Sequence, residues 1–248
     1  MDKPENTSRP AAEKRHSISA FFPCFNEQAT VEPLTRKTIA VLQTLTDDFE
    51  VIIVNDGSSD QTAAIADRLA REIPQVRVIH HPHNMGYGKA LQSGFRAATK
   101  ELVFYTDGDS QFNVEELADI LPLIERCDIV SCYRLNRQEG LGRRFNAFCW
   151  TRLVCLVFGL RLRDIDCAFK LYRRCIFDRM NLISTGALID TEVLARAAKQ
   201  GCTIVQKGVH HYPRIAGNPT GAKLRVILRA FRELFDLYGQ IRHDTKTM

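Results

Sequence analysis

Short apolar runs alternate with helix-period segments along the first half of the chain, and this alternation limits the possible folds more than any other feature. Runs with strand character lie at 18–22, 49–54, 76–79, 102–105 and 128–132, and segments of helical period at 30–45, 61–72, 87–98 and 114–125. Strands separated by helices of this length predict βαβ units and an α/β fold, a mainly parallel sheet with helices on both faces. Ligands of such sheets bind beyond the carboxyl ends of the strands. The first four runs each end there in a polar cluster: PCFNE, NDGSSD, HPHNMGYGK and TDGDSQ. One rim is therefore expected to carry Glu27, Asp56, the loop 84–89, Asp107 and Asp109.

The segment FYTDGDSQF, residues 104–112, sets two carboxylates one glycine apart. Anions this close raise each other's proton affinity and call for a cation, a helix N-terminus or water. A solvated Asp-Gly turn, with Asp109 or Ser110 capping the next helix, accounts for the same residues. Asp56 and Asp60 can likewise cap a turn and a helix. The loop NMGYGKA lacks the ending and glycine spacing of a Walker A sequence. Its glycines allow close backbone approach to a ligand or serve turn geometry.

The second half changes character. FNAFCWTRLVCLVFGL, residues 145–160, is interrupted only by Arg152 and is shorter than the roughly 20 residues that span a bilayer. With Arg143, Arg144, Arg161 and Arg163 flanking it and Trp150 inside, it suits either a helix lying in a membrane interface or one packed on the sheet. Leu224, Ile227, Leu228, Phe231, Leu234, Phe235 and Tyr238 fall on one face of the last segment, which predicts a C-terminal amphipathic helix. Lysine and arginine exceed aspartate and glutamate by 34 − 29 = 5, a balance that fits an anionic partner. Nucleic acid is disfavoured, because the arginines do not interleave with aromatics in any recognised module. The eight cysteines include no CxxC pair and have no histidine at zinc-site spacing, which points to buried thiols in a reduced compartment.

PCFNE, VNDGSSD, NMGYGKA, TDGDSQF, DIDCAFKLYRR and HYPRIAGNPTGAK together resemble family 2 glycosyltransferases, most closely the branch of dolichyl-phosphate mannose synthase and polyprenyl-phosphate glycosyltransferases. The resemblance implies a single GT-A (Rossmann-like) domain over residues 17–241, with a nucleotide-sugar half (17–134) and an acceptor half (135–241). Polar tails at 1–16 and 242–248 flank it, the first reading as neither signal peptide nor anchor. The implied reaction is inverting transfer of mannose or glucose from a nucleoside diphosphate sugar, GDP-mannose or UDP-glucose.

By that resemblance Pro23, Phe25 and Glu27 line the base pocket, Asp56 contacts the nucleoside, Gly86 and Lys89 border the same pocket, and Asp107 lies near the ribose. Arg214 is expected near the donor diphosphate. Asp107, Asp109 and Gln111 supply hard oxygen ligands that suit Mg²⁺ or Mn²⁺, and Gly108 lets their turn lie against the ligand. Arg134 matches a contact to sugar and phosphate, while Arg143, Arg144 and Lys170 serve the acceptor phosphate. Three departures stand out: Asn55 where aspartate is usual, Lys170 where many relatives have arginine, and no transmembrane helix following the domain. Attachment to the cytosolic face of a membrane is then expected from the amphipathic segments or from an anchoring partner protein.

The acceptor decides the base. A lipid phosphate, with a second pKa of about 6, is already mostly dianionic at neutral pH and needs only positioning. A hydroxyl acceptor on a saccharide or small molecule would need a general base, Asp166 first, with Asp164 or Asp190 behind it. The apolar run at 145–160 favours the lipid. A catalytically silent nucleotide-sugar-binding protein is the third reading, opposed by the intact Asp107, Asp109, Gln111 and Arg214 set.

Overall fold

A computed structural model describes residues 15–135, 141–214 and 224–243; the side chains of Leu141, Arg143, Arg144, His243 and residues 224–232 lie outside that description. The described strands are β1 (Ile18–Cys24), β2 (Phe49–Asn55), β3 (Val76–His80), β4 (Leu102–Thr106), β5 (Ile129–Leu135), β6 (Phe169–Arg173) and β7 (Ile204–His210). They form one sheet in the order β3-β2-β1-β4-β6-β5-β7. β1 lies parallel to β2 and β4, and β2 parallel to β3. β6 runs antiparallel to both β4 and β5, and β7 is parallel to β5.

β1, β2 and β4 follow the expected runs because their side chains are apolar on both faces, whereas β3 exposes Arg77 and His80. Ile18, Ala20, Phe21 and Phe22, Val51 to Val54, and Leu102 to Tyr105 are all fully buried, as parallel strands covered by helices must be. Helices α1 (Val31–Leu45), α2 (Thr62–Glu72) and α3 (Tyr87–Ala97) supply the crossovers.

The fourth expected helix is broken. Residues 114–125 form a 3-10 turn at Val114–Glu116, a short α4 (Leu117–Ile120) and a second 3-10 turn at Leu121–Arg126. Pro122 stands at the start of the last piece, and a proline there cannot donate the backbone bond that continued α-helix requires.

Residues 145–158 of the apolar run lie in α5 (Leu141–Phe158), and α6 (Ile189–Lys199) and α7 (Leu224–His243) follow. In α7 Leu234, Leu237 and Ile241 are buried, whereas Phe235 and Tyr238, read as part of the same apolar face, are exposed. Cys24, Cys127, Cys132, Cys155 and Cys167 are buried free thiols as expected, but Cys149 and Cys175 are exposed.

Candidate active site

The loops after β1, β2, β3 and β4 meet at the carboxyl edge of the sheet. Two of them turn through left-handed backbone at non-glycine residues, Asn26 (φ 59°) and Ser110 (φ 59°). Such conformations persist only where surrounding contacts enforce them, and they cluster at functional sites. The enforcing contacts are visible: Asn26 Oδ1 accepts from Ser59 N at 2.8 Å, and the Glu27 amide donates to Thr62 Oγ1 at 2.8 Å.

Asp107 and Asp109 sit on the turn after β4. Gly108 between them is required by packing on the sheet, a reason the sequence did not show. A Cβ there would stand 2.7 Å from Cys24 Sγ and 2.9 Å from the Pro23 carbonyl oxygen. Asp109 is buried and accepts from the Gln111 amide at 3.1 Å. Asp107 accepts from the Tyr87 hydroxyl at 3.0 Å. Burial, and then the neighbouring Asp109 carboxylate, push Asp107 up to about 8.

Arg214 reaches this turn from far along the chain. After β7, an antiparallel bridge pairs His211 with Phe112. Tyr212 N donates to Gln111 O at 2.8 Å, and Gln111 Nε2 donates to Tyr212 O at 2.9 Å. These bonds deliver the Arg214 guanidinium, whose Nη2 lies 3.0 Å from Glu27 Oε1 and 3.1 Å from Asp109 Oδ2. Burial raises the Glu27 pKa, and the charge of Arg214 opposes that rise.

Asp56 is buried, and both of its oxygens are engaged. Oδ1 accepts from Met85 N at 2.9 Å and contacts His81 Nδ1 at 2.6 Å, and Oδ2 accepts from Gly86 N at 3.0 Å. The far ring nitrogen of His81 pairs with Ser93 Oγ at 2.9 Å. Asp56 thus fastens the glycine loop, where Gly86 takes φ 98° and a Cβ would stand 2.8 Å from the Thr185 carbonyl oxygen. Lys89 turns to Gln92 Oε1 on its own helix at 3.2 Å. Phe25 and Met85 leave large apolar side chains exposed on this side, and Pro23 is partly buried in the last turn of β1.

Arg134, at the end of β5, forms a two-pronged pair with Asp164, Nε to Oδ2 at 2.7 Å and Nη2 to Oδ1 at 2.9 Å. Asp164 is therefore an arginine clamp and not a spare base. Asp190 is not one either, since it is buried and accepts from Lys170 Nζ at 2.7 Å and from the Tyr105 hydroxyl. Lys170, expected on the acceptor phosphate, is fully buried. Its ammonium is spent on Asp190, Tyr105 and two backbone carbonyls, out of reach of any phosphate. Arg143 and Arg144 lie on the α5 backbone, and their side chains are outside the described residues.

Asp166 is partly exposed and has no hydrogen-bond partner among the described residues. Burial, then Asp190 and Asp164, push it up to about 7. A carboxyl whose pKa is raised by folding costs nothing below its unfolded value near 4; the cost grows as pH rises toward 7 and is constant above. Asp166→Asn is thus expected to melt with wild type at pH 4 and several degrees above it at pH 8, at about 2–4 °C per kcal/mol for a chain of this size. Equal melting temperatures at pH 8 in calorimetry would show that Asp166 is not strained.

Among the described residues no group of three or more His, Cys, Asp or Glu side chains forms a ready-made metal cluster. The carboxylate pair still fits a divalent cation. Asp107 and Asp109 are hard oxygen donors whose mutual repulsion, read in the raised Asp107, is only partly offset by Arg214. Gln111 braces the segment that carries Arg214, which leaves its side-chain oxygen for the ligand role read from the sequence.

The profile of the family described as "Glycosyl transferase family 2" matches residues 19–180. The chain belongs to glycosyltransferase family 2. It is 31% identical over 218 residues to the undecaprenyl-phosphate 4-deoxy-4-formamido-L-arabinose transferase of Enterobacter sp. (strain 638), covering 86% of this chain and 64% of that protein. It is 31% identical over 170 residues to the dodecaprenyl-phosphate galacturonate synthase of Rhizobium johnstonii, covering 67% and 50%. The family 2 chain thus spans about half to two thirds of the length of these relatives. The glucosyl-3-phosphoglycerate synthase of Mycobacterium tuberculosis, solved with Mn²⁺, uridine diphosphate and phosphoglyceric acid, shares the fold. Its TM-score is 0.70 at 18% identity, over 90% of this chain and 79% of that one. The GT-A architecture implied by the motifs is the one observed.

The motifs gave no sign of several contacts at this site. Tyr87 on Asp107, His81 and Ser93 behind Asp56, and the pairing of Asp164 with Arg134 carry no spacing signal, because the partners come from separate stretches of the chain. Only a polar residue at a strand end, such as His81 after β3, hints at a role.

Proposed function

We propose that the chain transfers a hexose, mannose or glucose, from a nucleoside diphosphate sugar to a polyprenyl phosphate with inversion. The observation that carries the donor side is Arg214 Nη2 spanning Glu27 and Asp109 next to Asp107. It gathers one cation and three carboxyl groups where a diphosphate would dock beyond the strand ends. The acceptor rests on the two relatives, whose names are those of polyprenyl-phosphate enzymes.

In this reading the exposed Phe25 and Met85 offer a face to the base, and the loop fastened by Asp56 closes over it. Arg214 lies against the diphosphate as its charge grows. Asp107 and Asp109, with Gln111, would hold a divalent cation, which when bound supplies positive charge to the departing diphosphate. Arg134, oriented by Asp164, meets the acceptor phosphate, whose dianion attacks without a base. One observation favours a hydroxyl acceptor instead. Asp166, without a hydrogen-bond partner among the described residues and raised to about 7, is poised as a general base. Collapse of transfer in Asp166→Asn with a saccharide acceptor would select that reading.

Membrane contact follows from the lipid acceptor. No described helix is long and apolar enough to cross a membrane. On α5, Phe145, Phe148 and Leu156 are exposed along one face. Arg152 lies over the Phe148 ring at 5.2 Å, and the exposed Arg161 and Arg163 follow the helix. An apolar stripe flanked by arginines suits an anionic bilayer surface. Phe148→Glu with Leu156→Glu is expected to cut transfer to acceptor embedded in phosphatidylglycerol vesicles by about tenfold or more. Transfer to a short-chain acceptor in detergent should be unchanged. Equal losses in both assays would remove the membrane role from this face.

A further inference from the structure

A fully buried lysine is costly unless every donor finds an acceptor. Lys170, in the middle of β6, meets that condition. Its register partners are Tyr105 on β4 and Ser131 on β5. Its ammonium lies 2.7 Å from Asp190 Oδ1, 3.2 Å from the Tyr105 hydroxyl, 3.2 Å from Ile165 O and 2.6 Å from Cys167 O. Asp190 comes from the first turn of α6 and also accepts from Tyr105. One side-chain knot therefore joins two central strands, a helix and the turn 164–167.

The two carbonyls that it holds flank Asp166. The residue before them, Asp164, grips Arg134 through both carboxylate oxygens. Fixing the backbone at 165 and 167 fixes the height of Asp166, which has no hydrogen-bond partner of its own among the described residues, and the angle at which Asp164 presents Arg134. We infer that Lys170 and Asp190 are positioning residues for the acceptor side. They hold the Asp164–Asp166 turn, and through it the Arg134 guanidinium, without touching either substrate.

This inference rests on the proposed reading that the turn faces the acceptor, and its test separates the two. Lys170→Met, Lys170→Arg and the charge-free pair Lys170→Met/Asp190→Leu would be compared with wild type. The readings are thermal melting, nucleoside diphosphate binding, transfer kinetics with donor and acceptor varied separately, and amide hydrogen exchange at 165–168. Expected for each folded variant is binding of the nucleotide within about twofold. Transfer should fall about a hundredfold through kcat and the acceptor KM, with the donor KM unmoved and faster exchange at 165–168. Lys170→Arg, which keeps the positive charge and is the residue many relatives carry here, should retain more transfer than Lys170→Met. If Lys170→Met fails to fold, the charge-free pair carries the same expectation without a stranded carboxylate. Unchanged exchange, or equal changes in donor and acceptor KM, would overturn the positioning role. Raised exchange alongside a wild type that transfers nothing to polyprenyl phosphate would support the positioning role and sink the proposed acceptor.

Discussion

Replacing Asp109 with alanine is expected to lower transfer by about 10³-fold while leaving the fold intact. The carboxylate holds no part of the core. It accepts one amide, Gln111 N, and one prong of Arg214. Burial raises Asp107 most, and removal of Asp109 takes away the second cause, so the Asp107 pKa should fall part of the way. It also leaves Arg214 paired with Glu27 alone. Turnover should therefore collapse although the site still accepts nucleotide, and the residual rate should no longer respond to Mg²⁺ or Mn²⁺. Circular dichroism, melting and metal titration of the rate check these points. A variant within tenfold of wild type, still stimulated by metal, would remove Asp109 from the machinery.

Arg214→Ala is expected to cost about 10²-fold or more, through a different parameter. Nη2 neutralises Glu27 and Asp109 together, so the alanine variant leaves two carboxylates and Asp107 facing one another. Glu27, already raised by burial and opposed chiefly by Arg214, should rise further. Binding of the nucleoside diphosphate should weaken sharply while binding of the bare nucleoside stays near wild type. Lysine at this position supplies a point charge without the planar fork and should recover only part of the loss. Titration calorimetry with both ligands tests the split. Equal weakening for nucleoside and diphosphate would place Arg214 away from the phosphates.

Much of this was legible before any coordinates. β1, β2 and β4 are apolar on both faces, so their runs stand out against the polar loops that end them, and those loops hold Glu27, Asp56, Asp107 and Asp109. The second half hid its strands. β6 reads FKLYR, and its pattern is masked by Lys170, a charged residue that is fully buried. The same feature led the sequence to offer Lys170 to a phosphate, since a lysine is read as solvent-facing unless its partners are known. Those partners, Asp190 and the carbonyls at 165 and 167, lie outside β6. Asp164 and Asp190 were read as spare bases for the same reason, because a carboxylate's role depends on which cation faces it. Gly108 has a structural reason that the sequence did not show. Its neighbours in the chain suggest a ligand, and its neighbours in space, Pro23 and Cys24, leave no room for a Cβ.

The central claim is transfer from a nucleoside diphosphate sugar to a lipid phosphate through the Asp107–Asp109 turn. The most direct measurement incubates the protein with labelled GDP-mannose or UDP-glucose, Mg²⁺ or Mn²⁺ and a short-chain polyprenyl phosphate, and extracts the lipid. EDTA and Asp109→Ala serve as controls. An extractable lipid-linked sugar is expected from one of the donors, lost on chelation and in the variant. Nucleotide binding without product from either donor would contradict the central claim.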